Sequence, residues 1–404
     1  MGLEAMGRRE ERPRDPPGPA EPRRRRGRRP GGKTSRPRWT CSRARLKKTL
    51  WGVAVVLCVC ASWAGSTQLA KVTFRTFDAP FTLTWFATNW NFLFFPLYYV
   101  GHVCQSAEKQ SVKQRYRDCC GLFGENGLTL KVFFTKAAPF GVLWTLTNYL
   151  YLHAIKKINT TDVSVLFCCN KAFVFLLSWT VLRDRFMGVR IVAAILAIAG
   201  IVMMTYADGF HSHSVIGIAL VVGSASTSAL YKVLFKLLLG SAQFGEAALF
   251  LSVLAVFNLL FVTGVPVVLY FTKVEHWSSF ADVPWGSLCG FSLLLLTFNV
   301  VLNFGIAVTS PTLMSLGIVL SVPVNAVVDR YTSEIVFNGV RVVAIAIIGL
   351  GFLLLLLPEE WDLWLIGLLT RLKVRKKDEA AEAAGDPGSA PLGRSRRARP
   401  SFAR

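Results

Sequence analysis

The residue best placed to do chemistry is Lys171, preceded by Asn170, ten residues inside an apolar stretch that runs over 161–182. A lysine at that depth does not readily snorkel to either surface, so it needs a partner or a water-filled surrounding. Two kinds of partner suit it. One is an anionic group on a bound molecule; the other is a carboxylate of the chain, Asp329 or Glu246, in a structural or gating ion pair made in one state and broken in another. In 311–329, Gly317, Ser321, Asn325 and Asp329 recur every four residues and share one helix face. Pro323 lies within that stripe and removes a backbone hydrogen bond. Asn299 and Asn303 repeat the spacing in 284–308, and Trp144, Thr145, Asn148 and Tyr151 share a face in 132–153. Such faces either hydrogen-bond between packed helices or line the path of a polar solute. The candidate substrate-binding residues are therefore Asn148, Tyr151, Asn170, Lys171, Tyr231, Asn299, Asn303 and Asn325, around a cavity near the middle of the apolar region. Trp63, Trp85, Tyr151 and Tyr231 offer faces for a cation–π contact, which a cationic ring compound would use; Lys171 instead suits a phosphate or carboxylate.

Other chemistries lack their residues. The nine cysteines include the adjacent pairs Cys119-Cys120 and Cys168-Cys169 but show no zinc spacing, and are expected as reduced thiols. His211 and His213 have no further ligand nearby, so a polar loop is expected there and no metal. No phosphate-binding glycine loop is followed by Lys-Ser/Thr. No catalytic constellation or cofactor is expected, and the chain reads as not an enzyme.

The elements that must position these residues follow from composition. The 404 residues are 52% hydrophobic and only 17% charged, with a mean hydropathy of +0.43. Ten apolar stretches approach the roughly 20 residues that span a bilayer as a helix: 50–70, 80–104, 132–153, 161–182, 188–207, 214–235, 246–271, 284–308, 311–329 and 337–357. The formal charge of +22 lies mostly outside them, +12 in residues 1–49 and +3 in 358–404. Arg23 to Arg26 sit among Pro and Gly in a segment too polar for a folded core, so a disordered basic tail is expected there and no nucleic acid as partner. With both termini cytoplasmic, the loops between spans carry ten Lys/Arg on the inner side against seven on the outer, and the tails add to the inner excess. Trp361, Trp364, Leu365, Leu368, Leu369 and Leu372 precede a basic run, which reads as a helix lying on the cytoplasmic membrane surface. Small residues at packing spacing in the sixth span, Gly217, Gly223, Ser224 and Ser228, read as letting helices approach closely.

An internal repeat divides the membrane region. Gly188-Val189-Arg190-Ile191-Val192-Ala193, leading to Gly200, returns 151 residues later as Gly339-Val340-Arg341-Val342-Val343-Ala344, leading to Gly351. This sets the fifth span over the tenth, giving a first five-helix repeat over 50–207 and a second over 208–357. Five spans per half give the halves opposite topology, the inverted repeat of secondary transporters.

Three segments carry a resemblance to a known family: Thr160-Thr161-Asp162-Val163-Ser164, the run from Ser224 to Lys236, and Ser310-Pro311-Thr312-Leu313-Met314-Ser315. From about Cys41 to Pro358 the chain resembles solute carrier family 35, F subfamily. The resemblance implies the drug/metabolite transporter fold, an all-α membrane protein of ten helices in a five-plus-five inverted repeat. It implies secondary-active transport of a small polar solute by alternating access, with thiamine as the suggested cargo. Relatives elsewhere in the family exchange nucleotide sugars for nucleoside monophosphates, so an organic-phosphate exchanger stays open, as does a non-transporting multi-pass scaffold. Whether the plasma membrane or the secretory pathway houses the chain is open too.

Overall fold

A computed structural model describes residues 40–105, 111–124, 127–182, 188–207, 212–240, 242–275, 277, 281–309, 311–333 and 338–356. The basic tail up to residue 39, His211 and the expected surface helix after residue 358 lie outside the described residues. The chain divides into two units, Met1–Lys47 and Lys48–Arg404, and the helical bundle belongs to the second.

Among the described residues all regular structure is helical. The helices join into ten long runs and one short one: α1 (Thr40–Thr73), α2 (80–105), the short α3 (Val112–Cys119), α4 (130–157), α5 (160–182), α6 (Gly188–Ala207), α7 (Ser212–Leu238), α8 (244–271), α9 (Trp285–Val308), α10 (Pro311–Ser333) and α11 (Gly339–Leu356). Seven of these are long and apolar enough to cross a membrane by length and composition, namely α1, α5, α6, α7, α8, α9 and α10. In α11 the apolar helix Gly339–Leu355 is shorter. Local chemistry explains several boundaries. Pro80 and Pro311 open α2 and α10, where a missing N–H costs nothing. Gln243 and Glu246 form a reciprocal capping box at the start of α8.

The distribution of side chains is that of a body surrounded by lipid. Val192, Ile195, Ile198, Val202 and Tyr206 of α6 are exposed, while Asn91, Asn170, Asn258, Asn299, Asn325 and Asp329 are buried. With no water in the bilayer, apolar surface faces outward and polar groups find partners within.

The two copies of the repeated motif pack directly on each other. A Cβ at Gly200 of α6 would run into Ile348 and lie 3.5 Å from the Ala344 carbonyl oxygen of α11. One at Gly351 would lie 3.0 Å from the Ala193 carbonyl oxygen and 3.3 Å from Leu196 Cβ. Ala193 and Ala344 hold the same place in the two motifs, so the contact is reciprocal. The sixth expected span behaves in the same way. Gly217 of α7 receives Ile158 where a side chain would clash, and Ser224 Oγ donates to the Thr147 carbonyl at 2.8 Å.

Candidate functional site

A cavity of about 420 Å³ opens at the end of the bundle where α7 and α9 finish and α8 and α10 begin. Trp144 of α4, Lys171 of α5, Tyr231 and Lys232 of α7, Asn299 and Asn303 of α9 and Ser315 of α10 supply its polar and aromatic wall. Lys171, Tyr231, Asn299 and Asn303, four of the residues singled out in the sequence, thus come together from three helices. Asn170 lies behind them, 3% exposed. Its side-chain N–H donates to the Ala225 carbonyl at 2.6 Å, and its Oδ1 accepts from Lys232 Nζ at 2.6 Å. One α5 asparagine therefore fixes both the backbone of α7 and the lysine that α7 turns into the cavity.

Lys232 was not legible as a site residue, because an apolar stretch ending at 235 left it as one of two charges at a span's edge. In the structure α7 continues to Leu238, which sets Lys232 almost two turns inside the helix. It follows Tyr231, and that adjacency is the signal that could have found it. Lys171 and Lys232 lie close enough for their charges to repel. Among the described residues no acidic side chain lines the cavity, and no acceptor is within hydrogen-bond distance of Lys171 Nζ. The aromatic wall is built by Trp144 against Tyr231 at 5.6 Å between ring centroids, with Phe140 edge-on to Tyr231 at 5.5 Å.

The ion pair of Lys171 with Asp329 or Glu246 is not formed. Asp329 lies fourteen residues beyond Ser315 on α10, about 21 Å along the helix at about 1.5 Å per residue. Both its oxygens are occupied there: Oδ1 accepts from Gln68 at 3.0 Å and Thr160 Oγ1 at 2.6 Å, Oδ2 from Thr161 N at 2.8 Å and Thr161 Oγ1 at 2.6 Å. Glu246 accepts from its own cap residue, Gln243 N, at 2.7 Å.

Other candidates also lie away from the cavity. Asn325 is fully buried, bonded to Ser164 Oγ at 2.8 Å and accepting from Thr67 and Gln68 at 3.2 Å each. Gly317 of the same stripe brings α10 against α1, where a Cβ would sit 3.1 Å from the Val56 carbonyl oxygen. That stripe is thus a helix-packing face. Asn148 and Tyr151 line a separate void of about 20 Å³ with Trp63, Thr67, Thr84 and Thr88. Beside this void Trp63 packs on Phe298 at 4.5 Å, Tyr151 at 5.3 Å and Phe167 at 6.1 Å. Trp85 faces neither, lining an apolar groove of about 280 Å³ with Trp277 and Trp285.

On the flank of the cavity end, α3 docks through Arg115, whose Nε donates to Tyr98 Oη at 3.0 Å. Beneath it Cys119 and Cys120 are buried, and the described cysteines form no disulfide.

Among the described residues, a helical bundle with apolar side chains outside and lysines and asparagines in the wall of a largely apolar cavity fits a membrane carrier, and residues 50–206 match the EamA-like transporter family. Residues 129–357 match Solute carrier family 35. Solute carrier family 35 member F3 of Mus musculus is 84% identical over 98% of this chain and 94% of its own length, and the Homo sapiens protein of that name gives the same figures. Member F4 of Homo sapiens is 60% identical over 86% of this chain and 67% of its own length. The chain belongs to solute carrier family 35, in its F group. It is an integral multi-pass membrane protein, a transporter rather than an enzyme, whose partners are a small-molecule solute and the lipid bilayer.

Proposed function

We propose that the chain is a secondary-active transporter of ten membrane crossings in two inverted five-helix halves, with both termini cytoplasmic, carrying a small organic anion by alternating access. The observation that carries the cargo's sign is the pairing of Lys171 and Lys232 in a cavity whose described lining has no carboxylate. Two ammonium groups in a site of low dielectric repel each other and attract a phosphate or carboxylate. Trp144 and Tyr231 beside them suit an aromatic ring on the same molecule. Thiamine, the cargo that the family resemblance implies, has such a ring but is a cation. A phosphorylated thiamine or a nucleotide sugar offers both a ring and an anionic group.

Several features support the rest of the reading. The reciprocal packing of Gly200 and Gly351 favours two related halves, and the ten long helical runs suit an even number of crossings. The charge excess of the inner loops and tails favours a cavity mouth facing the cytoplasm. The test is uptake into vesicles containing only the purified protein, with thiamine, thiamine phosphates and nucleotide sugars side by side. Uptake of an anion, lost in Lys171→Gln and Lys232→Gln, is the expected result. Uptake of thiamine alone would refute the assignment of charge but keep the transporter; failure of every solute would favour a scaffold.

A further inference from the structure

The α9 side of the cavity carries two amides whose NH2 groups are turned into the protein. Asn303 Nδ2 donates to the Asn299 backbone carbonyl at 2.7 Å. A carbonyl only accepts, so Asn303 must give it the NH2 and turn Oδ1 the other way. One turn earlier Asn299, 5% exposed, donates through Nδ2 to Asn91 Oδ1 of α2 at 3.1 Å. Asn91 is itself held in place. There α2 tightens to a 3-10 turn over Trp90–Leu93, and Pro96 has no N–H to offer the Phe92 carbonyl. Ser252 Oγ of α8 donates instead, lying 3.1 Å from the Asn91 carbonyl and 3.3 Å from that of Phe92, and accepts from Phe95 N at 3.0 Å. Asn299 and Asn303 both line the cavity, and among the described residues neither Oδ1 meets a donor.

The donors stand on other helices. Lys171 of α5 and Lys232 of α7 come from helices that pack on each other, whereas α9 packs on α2, α8 and α10. The cavity thus has a wall of ammonium donors and a wall of amide acceptors. From this division we infer that α9 selects the solute: Asn299 Oδ1 and Asn303 Oδ1 require a hydrogen-bond donor on it, an exocyclic amine of its ring or a hydroxyl, set apart from the anionic group that the lysines hold. The inference deepens the anion-carrier reading and rests on it for the anionic end alone. Filling the cavity takes these two oxygens out of water. A solute that brings a donor replaces the lost hydrogen bond, and one that brings a carbonyl sets acceptor against acceptor. A site built to hydrogen-bond its solute rejects an analogue without the donor far more strongly than an apolar pocket rejects a missing methylene.

The experiment measures binding of matched probes to the purified full chain in detergent, from the rise in melting temperature with probe concentration. With the amine as donor, adenosine monophosphate should bind about tenfold or more tightly than inosine monophosphate, which has a carbonyl in its place; with a hydroxyl as donor, the same margin should separate it from its 2′,3′-dideoxy form. Asn303→Leu and Asn299→Leu should bring the preference toward one. Asn91→Ala should do the same through Asn299, for which Asn91 is a positioning residue. Asn303→Asp keeps the acceptor and adds a charge near the lysines, so it should weaken every monophosphate and leave the preference in place. If the variants of the buried Asn299 and Asn91 do not fold, Asn303→Leu, at a half-buried side chain, decides. Equal binding of the three monophosphates, or a preference undiminished in Asn303→Leu, would overturn the acceptor wall and keep the anion reading. Adenosine, inosine and dideoxyadenosine, which lack the phosphate, make the converse separation. Adenosine preferred over either of the others, and bound as tightly as its monophosphate, would refute the anion reading and keep the wall. Probes that all leave the melting curve unmoved would overturn both.

Discussion

Lys171 and Lys232 illustrate how a residue's role depends on what holds it. Lys232 is anchored by Asn170 Oδ1, while Lys171 meets no acceptor among the described residues, so the two present one fixed and one adjustable ammonium to the same space. Replacing either by Gln removes one charge-assisted contact to an anion, each worth about 1.5–3 kcal/mol. We therefore expect kcat/KM for an anionic solute to fall about 10- to 100-fold in Lys171→Gln or Lys232→Gln, with expression and melting temperature near the parent's. Asn170→Asp is the sharper test. It keeps the shape but gives Lys232 a carboxylate, so anion uptake should weaken although both lysines remain. Undiminished uptake by that variant, measured over a range of solute concentrations, would remove Lys232 from the site.

Among the elements, α6 and α11 show why small residues recur in the repeated motif. At Gly200 and Gly351 each helix needs the absence of a side chain, because the facing helix occupies the space where Cβ would stand. Gly200→Leu overpacks that contact, at a cost of about 1–3 kcal/mol. Ile348→Ala in the same chain should recover part of it, since Ile348 is the obstructing side chain, and should do nothing for Gly351→Leu, which meets Leu196 and the Ala193 carbonyl instead. Thermal unfolding in detergent measures all four combinations. The docking of α3 makes a separate prediction outside the membrane-spanning helices. Burial pushes the Cys119 thiol up to about 11, so little of it is thiolate at neutral pH and alkylation should be slow beside the exposed Cys104. Its rate should climb as the pH rises toward 11. Tyr98→Phe, which removes the acceptor that docks α3 and keeps the Arg115 charge that favours the thiolate, should make Cys119 react faster at neutral pH, as mass spectrometry of alkylated protein would show.

For the whole molecule, the reading of ten crossings predicts that tags at the two termini are accessible from the same face of the membrane, and that a tag inserted at 208–211 is accessible from the opposite one. Selective permeabilisation of cells tests this. Termini on opposite faces would exclude an even number of crossings, and with it two five-helix halves.

Much of the architecture was legible along the chain because a bilayer imposes a local rule: each crossing must be a long apolar run that satisfies its own backbone hydrogen bonds. Hence seven of the ten stretches read from the sequence lie on helices long and apolar enough to cross a membrane, and the repeated Gly-Val-Arg motif marks two helices that touch. The same rule hides the site. A helix apolar on all sides does not record which face meets which neighbour. The stripe of Gly317, Ser321, Asn325 and Asp329 was visible as a stripe, but only the rotation of α10 turns it onto α1 and α5 instead of into the cavity. Lys171 was visible as a buried charge, whereas its pairing with Lys232 arises across two helices, from Asn170 and a helix end lying beyond the apolar run. The separation of Asp329 from Lys171 is likewise a matter of depth along the bundle. The sequence by itself determined a lipid-embedded helical carrier with charge inside it; tertiary packing decided which charges meet, because contacts between helices depend on rotation, tilt and depth that no local pattern encodes.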